Sequence, residues 1–260
     1  MAAVLVARYP DYWPETVRAL LVHSGRWTEE MLRSVDGLTP HQKNNALLRR
    51  YGYGAPSLER ASWSAADRLT LVAQESIKPF KLADGGRIAT DEAHLHALPW
   101  PVDVLRSLHD TEVKLRVTLS YFVEPNPARR GFKNRHQYMS HGLRFRMIRP
   151  DESVEEFKAR VSKQAQEEEE PIEFRQADWA LGHQLRSRGS LHSDWWSGSA
   201  VDLAARGHLA VHPTRGWWAE RKDAERWEER VRYSLVVAIE TPGEDIYTPV
   251  EAMLSVPITT

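Results

Sequence analysis

The chain contains no cysteine. That absence excludes disulfides, a thiolate nucleophile and Cys-ligated zinc, and it suits a reducing cytoplasm. No run approaches the roughly 18 apolar residues that a membrane-spanning helix needs. The one apolar opening, Ala2 to Ala7, is too short for a signal peptide and lacks a basic flank. Neither sign of charge dominates: 35 Lys and Arg against 36 Asp and Glu leave a net charge of −1. Such a balance argues against nucleic acid or anionic lipid as a broad electrostatic partner. Internal repeats and extended low-complexity segments are also missing. What is present reads as globular. Of 260 residues 42% are hydrophobic and 27% charged, enough to bury a core. Ten tryptophans are many for this length, and they cluster late.

The first quarter carries helix signals. Ala2 to Arg8 is a short apolar helix stopped near Tyr9-Pro10. Pro14 suits a first helical position, and Glu15 complements the positive end of the helix it opens. Val17, Leu20 and Leu21 follow at helical spacing, and Gly25 can end that helix. Thr28 caps a short helix through Leu32. Asn45 to Arg50 reads as a further turn before Tyr51-Gly52-Tyr53-Gly54, whose glycines permit unusual backbone. Ser57 caps a last short helix through Ala65.

Beyond about Asp67 the pattern changes to strands. Leu69 to Ala73 is a short one. In Val113 to Val123 the residues Val113, Leu115, Val117, Leu119 and Tyr121 share one face, and Lys114, Arg116, Thr118 and Ser120 the other. Leu143, Phe145 and Met147 alternate with arginines. Val231, Tyr233, Leu235, Val237 and Ile239 alternate again, up to Thr241-Pro242-Gly243. Strict alternation predicts antiparallel sheets with one wet face, and hence a β-sandwich of jelly-roll type. One inserted helix is expected, with Val154, Phe157 and Val161 on its apolar face and Ser153 as its cap. The acidic run Glu167 to Glu170 opposes the macrodipole at its end, so fraying is expected there.

The order of these pieces resembles the closing stretch of a subtilisin-like serine protease (subtilase) catalytic domain. The resemblance runs through MAAVLVARYPDYWPETVRALLVHSGR at residues 1–26 and LLRRYGYGAPSLERA at 47–61. In that family a helix starts at the nucleophilic serine of a GTSxA motif and continues as an apolar segment. A Pro breaks it, a VRxxLxxTA helix follows, and YGxGxVxxxxA closes the domain. Downstream, LSYFVEPNP at 119–127, SHGLRF at 140–145, RGSLHSD at 188–194 and VRYSLVV at 231–237 are similar to the carboxy-terminal extension of large prokaryotic subtilases. The resemblance implies a protease frame, residues 1–66, followed by a β-sandwich domain, residues 67–260. It also implies peptide-bond hydrolysis in an intact parent, and by family analogy an AAA-type ATPase as partner. The GTSxA motif and the family's Asp and His motifs are not in the chain, so this chain alone is expected to be inactive and to need no cofactor. Its expected partner is the protease domain or another chain. In the resembled fold Val4, Leu5 and Val6 point into a parallel sheet. Residues before about Ser64 are therefore expected to be less well fixed than the β region unless a partner covers them.

Other residues invite chemistry. Ser190, His192 and Asp194 lie within five positions, but side chains spaced by two on a strand point in parallel and do not converge as nucleophile, base and orienter. Ser140-His141 shares that defect. The expectation is that these groups anchor loops. His94 with His96, and His208 with His212, are too few for zinc, which takes three or four converging ligands; no metal site is expected. Trp195-Trp196 and Trp217-Trp218, read as strand residues, alternate inward and outward. Trp196 and Trp218 are thus candidate binding residues for sugar or peptide. The basic loop with Arg129 and Arg130 is a candidate site for phosphate or an acidic segment. These residues carry the alternative function, a free-standing β-sandwich module that binds protein or carbohydrate.

Overall fold

A computed structural model describes residues 1–66, 70–98, 100, 102–127, 138–166, 179–182 and 189–240. Five helices come first: α1 (Ala2–Arg8), α2 (Pro14–His23), α3 (Glu29–Arg33), α4 (Pro40–Tyr51) and α5 (Leu58–Ala66). Their caps follow local chemistry. Pro14 opens α2, and the Thr28 hydroxyl accepts the Met31 amide at 3.4 Å. The helix α4 replaces the single turn expected at 45–50. Pro40 holds its first position, and Thr39 and Gln42 form a reciprocal capping box. Gly54 has a φ of 90°, and any Cβ there would collide with the backbone of Arg26. Only glycine lets this loop pair with Arg26, through the Arg26 and Ala55 amides and carbonyls at 3.1 and 2.9 Å.

Nine strands follow among the described residues: β1 (Leu71–Ile77), β2 (Phe80–Leu82), β3 (Ile88–Thr90), β4 (His94–Ala97), β5 (Glu112–Tyr121), β6 (Gly142–Met147), β7 (Leu191–Ser199), β8 (His208–Thr214) and β9 (Val231–Glu240). All pairings are antiparallel. One sheet has the order β1-β9-β5-β7 and another β4-β8-β6, while β2 and β3 form a small hairpin. The pairing is nested. Setting the hairpin aside, the first strand pairs with the last (β1 with β9), the second with the next-to-last (β4 with β8), and the third with the one before (β5 with β7).

More than one helix enters the β region. Besides α7 (Val154–Gln166), the described residues include α6 (Val102–Ser107), α8 (Ala200–Ala204) and α9 (Trp217–Glu220). These three are four to six residues long, too short to display a helical period in sequence. The Ser153 cap on α7 is present, with the Glu156 carboxylate accepting its amide and hydroxyl at 2.9 and 2.8 Å. The acidic run at 167–170 and the turn at 241–243 lie outside the described residues.

The two main sheets face each other across one core. Val113, Leu115, Val117 and Leu119 of β5 share it with Leu143 and Phe145 of β6 and Leu209 and Val211 of β8. On the far side of the three-stranded sheet, Phe157 and Val161 of α7 pack on Leu95, Ile148 and Ala210. The outer face of the four-stranded sheet is not wet, contrary to what alternation predicted. Helix α2 lies on β5 and β9. Leu5, Val17, Ala19, Leu20 and Ala61 from the helices close over Val236 and Val72 from the strands. The helical segment thus shares a core with the sheet, and α2 is covered by strands of the same chain. Alternation missed this because the face is polar in sequence yet dry in structure.

Packing gives a direct stability prediction. Leu20 is fully buried, whereas Val6 is 49% exposed. Leu20→Ala should lower unfolding free energy by about 2–5 kcal/mol, and Val6→Ser should change it by no more than about 0.5 kcal/mol. Urea denaturation followed by tryptophan fluorescence and far-UV dichroism checks both. Coincident transitions are expected in the wild type; a helix transition separate from the sheet transition contradicts the shared core.

Candidate functional site

Three polar constellations are built on this frame. The first lies between α2 and the four-stranded sheet. His23 Nδ1 is 3.0 Å from the Thr118 hydroxyl, which is 2.8 Å from the Ser193 hydroxyl. All three residues are buried. Arg18 donates to Ser120 Oγ at 2.9 Å and to the carbonyls of Tyr121 and Ser190 at 2.5 and 2.6 Å. The Glu240 carboxylate pairs with Arg26 and with Arg116 Nε, the latter at 3.2 Å. Tyr53, from the Tyr51–Gly54 loop, donates to the Leu191 carbonyl at 3.2 Å and accepts the Ser193 amide at 3.4 Å. Burial, reinforced by the positive charges of Arg116 and Arg26, holds the His23 imidazole well below its ordinary pKa. Burial also lowers Arg116 to about 10, which leaves it charged at neutral pH. His23, Thr118 and Ser193 are sealed between α2 and the sheet, and these bonds fasten helix to sheet.

The second constellation lies between the sheets. The Tyr121 hydroxyl is 3.0 Å from His192 Nε2 and 3.2 Å from the Gly189 carbonyl. Nearby, Ser140 Oγ is 2.9 Å from His141 Nδ1 and accepts the Glu124 amide at 2.9 Å. Ser140 and His141 do meet, which sequence reasoning did not expect. Both are buried, however, and His141 is walled by Tyr121 and Trp218, with ring centroids 5.5 and 5.4 Å away. With no access for a substrate carbonyl, the pair has nothing to attack. Asp194 does not orient His192. It accepts the Leu181, Gly182 and Trp195 amides at 2.9, 3.1 and 2.9 Å. These three bonds secure the neighbouring loop and leave Ser190, His192 and Asp194 in separate structural roles.

The candidate binding tryptophans are in the interior. Trp196 is 2% exposed and Trp218 6%. Strand β7 alternates as read, with Trp196 in the core and Trp195 on the outer face, against Trp27 at 5.3 Å and under the Arg116 guanidinium at 4.8 Å. Trp217 and Trp218 are a correction: they lie on the helix α9, not a strand, and both turn inward. Their indole N–H groups donate to the carbonyl and carboxylate of Glu124 at 3.0 and 3.1 Å. Neither Trp196 nor Trp218 offers a platform to a ligand. Arg129 and Arg130 lie outside the described residues.

The third constellation sits where β4 and β9 face each other, with His94 and His96 half-buried and Tyr233 fully buried. His94 Nδ1 and His96 Nε2 each lie 2.8 Å from Tyr233 Oη. His94 Nε2 is 3.6 Å from Glu92 Oε2, and Glu92 is gripped by Arg230 at 2.7 and 2.8 Å. Burial raises the Tyr233 phenol above its ordinary pKa, and Glu75 adds to this. Burial, then the neighbouring His94, lowers His96. His208 and His212 stand on the opposite face of β8 from Leu209 and Val211, which share the inter-sheet core, and so do not join this group. Among the described residues no set of three or more His, Cys, Asp and Glu side chains is arranged to hold a metal ion. Sequence reading paired His94 with His96 but had no signal for Tyr233, which is 137 positions from His96.

Comparison with protein-family models, with characterised proteins and with solved structures gives no significant match. Among the described residues no helix is long and apolar enough to cross a membrane.

The buried histidines set an acid limit on the fold. His23 is held well below its ordinary pKa, and burial brings His141 down to about 4. Both are neutral when folded and take up protons when unfolded below about pH 6.5. The unfolded state therefore binds more protons in that window, and stability falls as pH falls. Each histidine costs up to ~1.4 kcal/mol per pH unit, and the loss due to His141 ends near its folded value of about 4. Melting temperature should fall between pH 7 and pH 5, and fall less steeply in His141→Gln. A flat profile over that range contradicts the assignment.

Proposed function

We propose that this chain is the non-catalytic carboxy-terminal part of a subtilisin-like serine endopeptidase, and that its β region is a jelly-roll sandwich serving as an accessory domain. In this reading the domain stabilises the protease core and presents substrate or a partner protein to it. The partner is the protease domain itself or another chain, with an AAA-type ATPase as a further partner by family analogy. The setting is the cytoplasm, in keeping with the lack of cysteine.

The observation that carries the reading is helix α1. Its sequence is AAVLVAR, yet only Leu5 is buried. Met1, Val4 and Val6 are 44, 48 and 49% exposed. Each such side chain gains roughly 1.5–3 kcal/mol when fully buried, so this surface is better suited to a protein neighbour than to water. The resembled subtilase segment has such a neighbour in its parallel strands. Two further observations support the reading. The nested strand pairing is that of an antiparallel ribbon rolled on itself, the jelly-roll arrangement. The Ser, His and Asp side chains that invited a catalytic role are each tied to structural partners. For the alternative, a free-standing module that binds protein or carbohydrate, burial removes Trp196 and Trp218 as a surface platform, while its other candidates, Arg129 and Arg130, lie outside the described residues.

Two experiments test this. A fluorophosphonate probe should fail to label the isolated chain; labelling abolished by Ser140→Ala or Ser190→Ala makes it an enzyme in its own right. Genomic DNA upstream of the Met1 codon should carry an open frame encoding GTSxA that runs into this sequence. An in-frame stop there, with the protein still expressed from Met1, contradicts the protease reading.

A further inference from the structure

The contact between β4 and β9 brings three groups of metal-ligating chemistry around one point. Strand β4 is extended, so His94 and His96, two residues apart, face the same way. Tyr233 of β9 meets both from across the sandwich, its Oη 2.8 Å from His94 Nδ1 and 2.8 Å from His96 Nε2. A phenol has one proton and donates to one imidazole only, so the other imidazole must donate its own N–H. The remote nitrogen of His94 faces the Glu92 carboxylate at 3.6 Å. Glu92 is itself fixed by two bonds from Arg230, at 2.7 and 2.8 Å, and by the Lys78 amide at 2.8 Å. A carboxylate on the far nitrogen favours the tautomer whose near lone pair points inward, and such second-layer support commonly accompanies metal-bound histidine.

We propose that His94 Nδ1, His96 Nε2 and Tyr233 Oη bind one divalent late first-row transition ion, Zn²⁺ or Cu²⁺. The donor set suits those ions. Imidazole favours zinc and copper, and with no thiolate in the chain the soft alternatives lose their ligand. The distances are close to what coordination requires. Bonds of ~2.0–2.1 Å at tetrahedral angles separate donors by about 3.3 Å, so each present contact opens by roughly 0.5 Å. Half-buried imidazoles reach this by small rotations. The rim of the centre reaches solvent on the His94 side, the side chains of His94 and Glu92 being 22 and 34% exposed, while Tyr233 itself is fully buried. Charge favours a cation, because Glu75 lies opposite Tyr233 in the β1–β9 register and adds a carboxylate beside the phenol. On binding, the metal–oxygen bond replaces the phenol O–H, the proton leaves to the buffer, and His96 presents Nε2 as a lone pair with its proton on Nδ1. No oxidation or reduction is involved.

This site stands independently of the protease reading. The test is calorimetric titration of the untagged full chain with Zn²⁺ and with Cu²⁺. One ion per chain is expected, with micromolar or tighter affinity. His94→Ala and His96→Ala should each weaken binding by at least about tenfold, whereas His109→Ala, at an exposed turn, should not change it. The Cu²⁺ complex should show a phenolate-to-copper charge-transfer band that disappears in Tyr233→Phe, which keeps the ring's packing. Absence of binding up to about 1 mM metal, affinity unchanged in the His94→Ala/His96→Ala double variant, or no charge-transfer band in the wild type overturns the proposal.

Discussion

The structure depends on a surface that is polar in composition and dry in place. The outer face of the four-stranded sheet presents Arg116, Thr118, Ser120, Ser193 and Ser234, all buried. Buried polar groups without partners cost about 1–3 kcal/mol each. Two of them find partners on α2, Thr118 in His23 and Ser120 in Arg18; Ser193 bonds Thr118, and Arg116 pairs with Glu240 of β9, a carboxylate shared with Arg26 beyond the end of α2. The sheet needs α2 to complete its hydrogen bonds, and α2 needs the sheet to cover Val17 and Leu20. Neither half presents a satisfied surface without the other.

That constraint decides what the reactive-looking side chains do. His23, His141 and His192, with Ser140, Ser193 and Asp194, are the residue types of hydrolytic sites. Here they are buried and spent on joints between layers. Asp194 secures a loop through three amides, and His192 braces Tyr121 between the sheets. Two places behave differently. Helix α1 turns apolar side chains outward, which points to protein contact. The His94–Tyr233–His96 group joins two half-buried imidazoles to one fully buried phenol. The proposed accessory-domain reading uses the first of these places, and the proposed metal site the second.

Much of the frame was legible in the sequence. Alternation identified β5, β6 and β9 because their inner faces are uniformly apolar. Caps identified α2, α3, α5 and α7 because Pro14, Thr28, Ser57 and Ser153 sit where helix chemistry needs them. The rest was hidden for physical reasons. Strand β4 is four residues with two histidines, and β7 reads LHSDWWSGS, a string that reads as extended but whose pairing no period-two hydrophobicity marks. The capping box at Thr39 and Gln42 was available and went unread beside the weak apolar pattern of α4. The dry outer face was illegible because polarity in a strand signals water unless its partners are known, and those partners lie 95 to 172 positions away. Tyr233 was read as a core strand residue, and nothing local couples it to His94.

Native-state hydrogen exchange on the intact chain tests the mutual dependence of helix and sheet most directly. If the two form one cooperative unit, the amides of Leu20 and Leu21 open with the same free energy as those of Val117 and Val237. Exchange of the α2 amides through a far cheaper opening, while the strands stay protected, would show that the helical layer is an appendage and that the shared dry face does not hold the fold together.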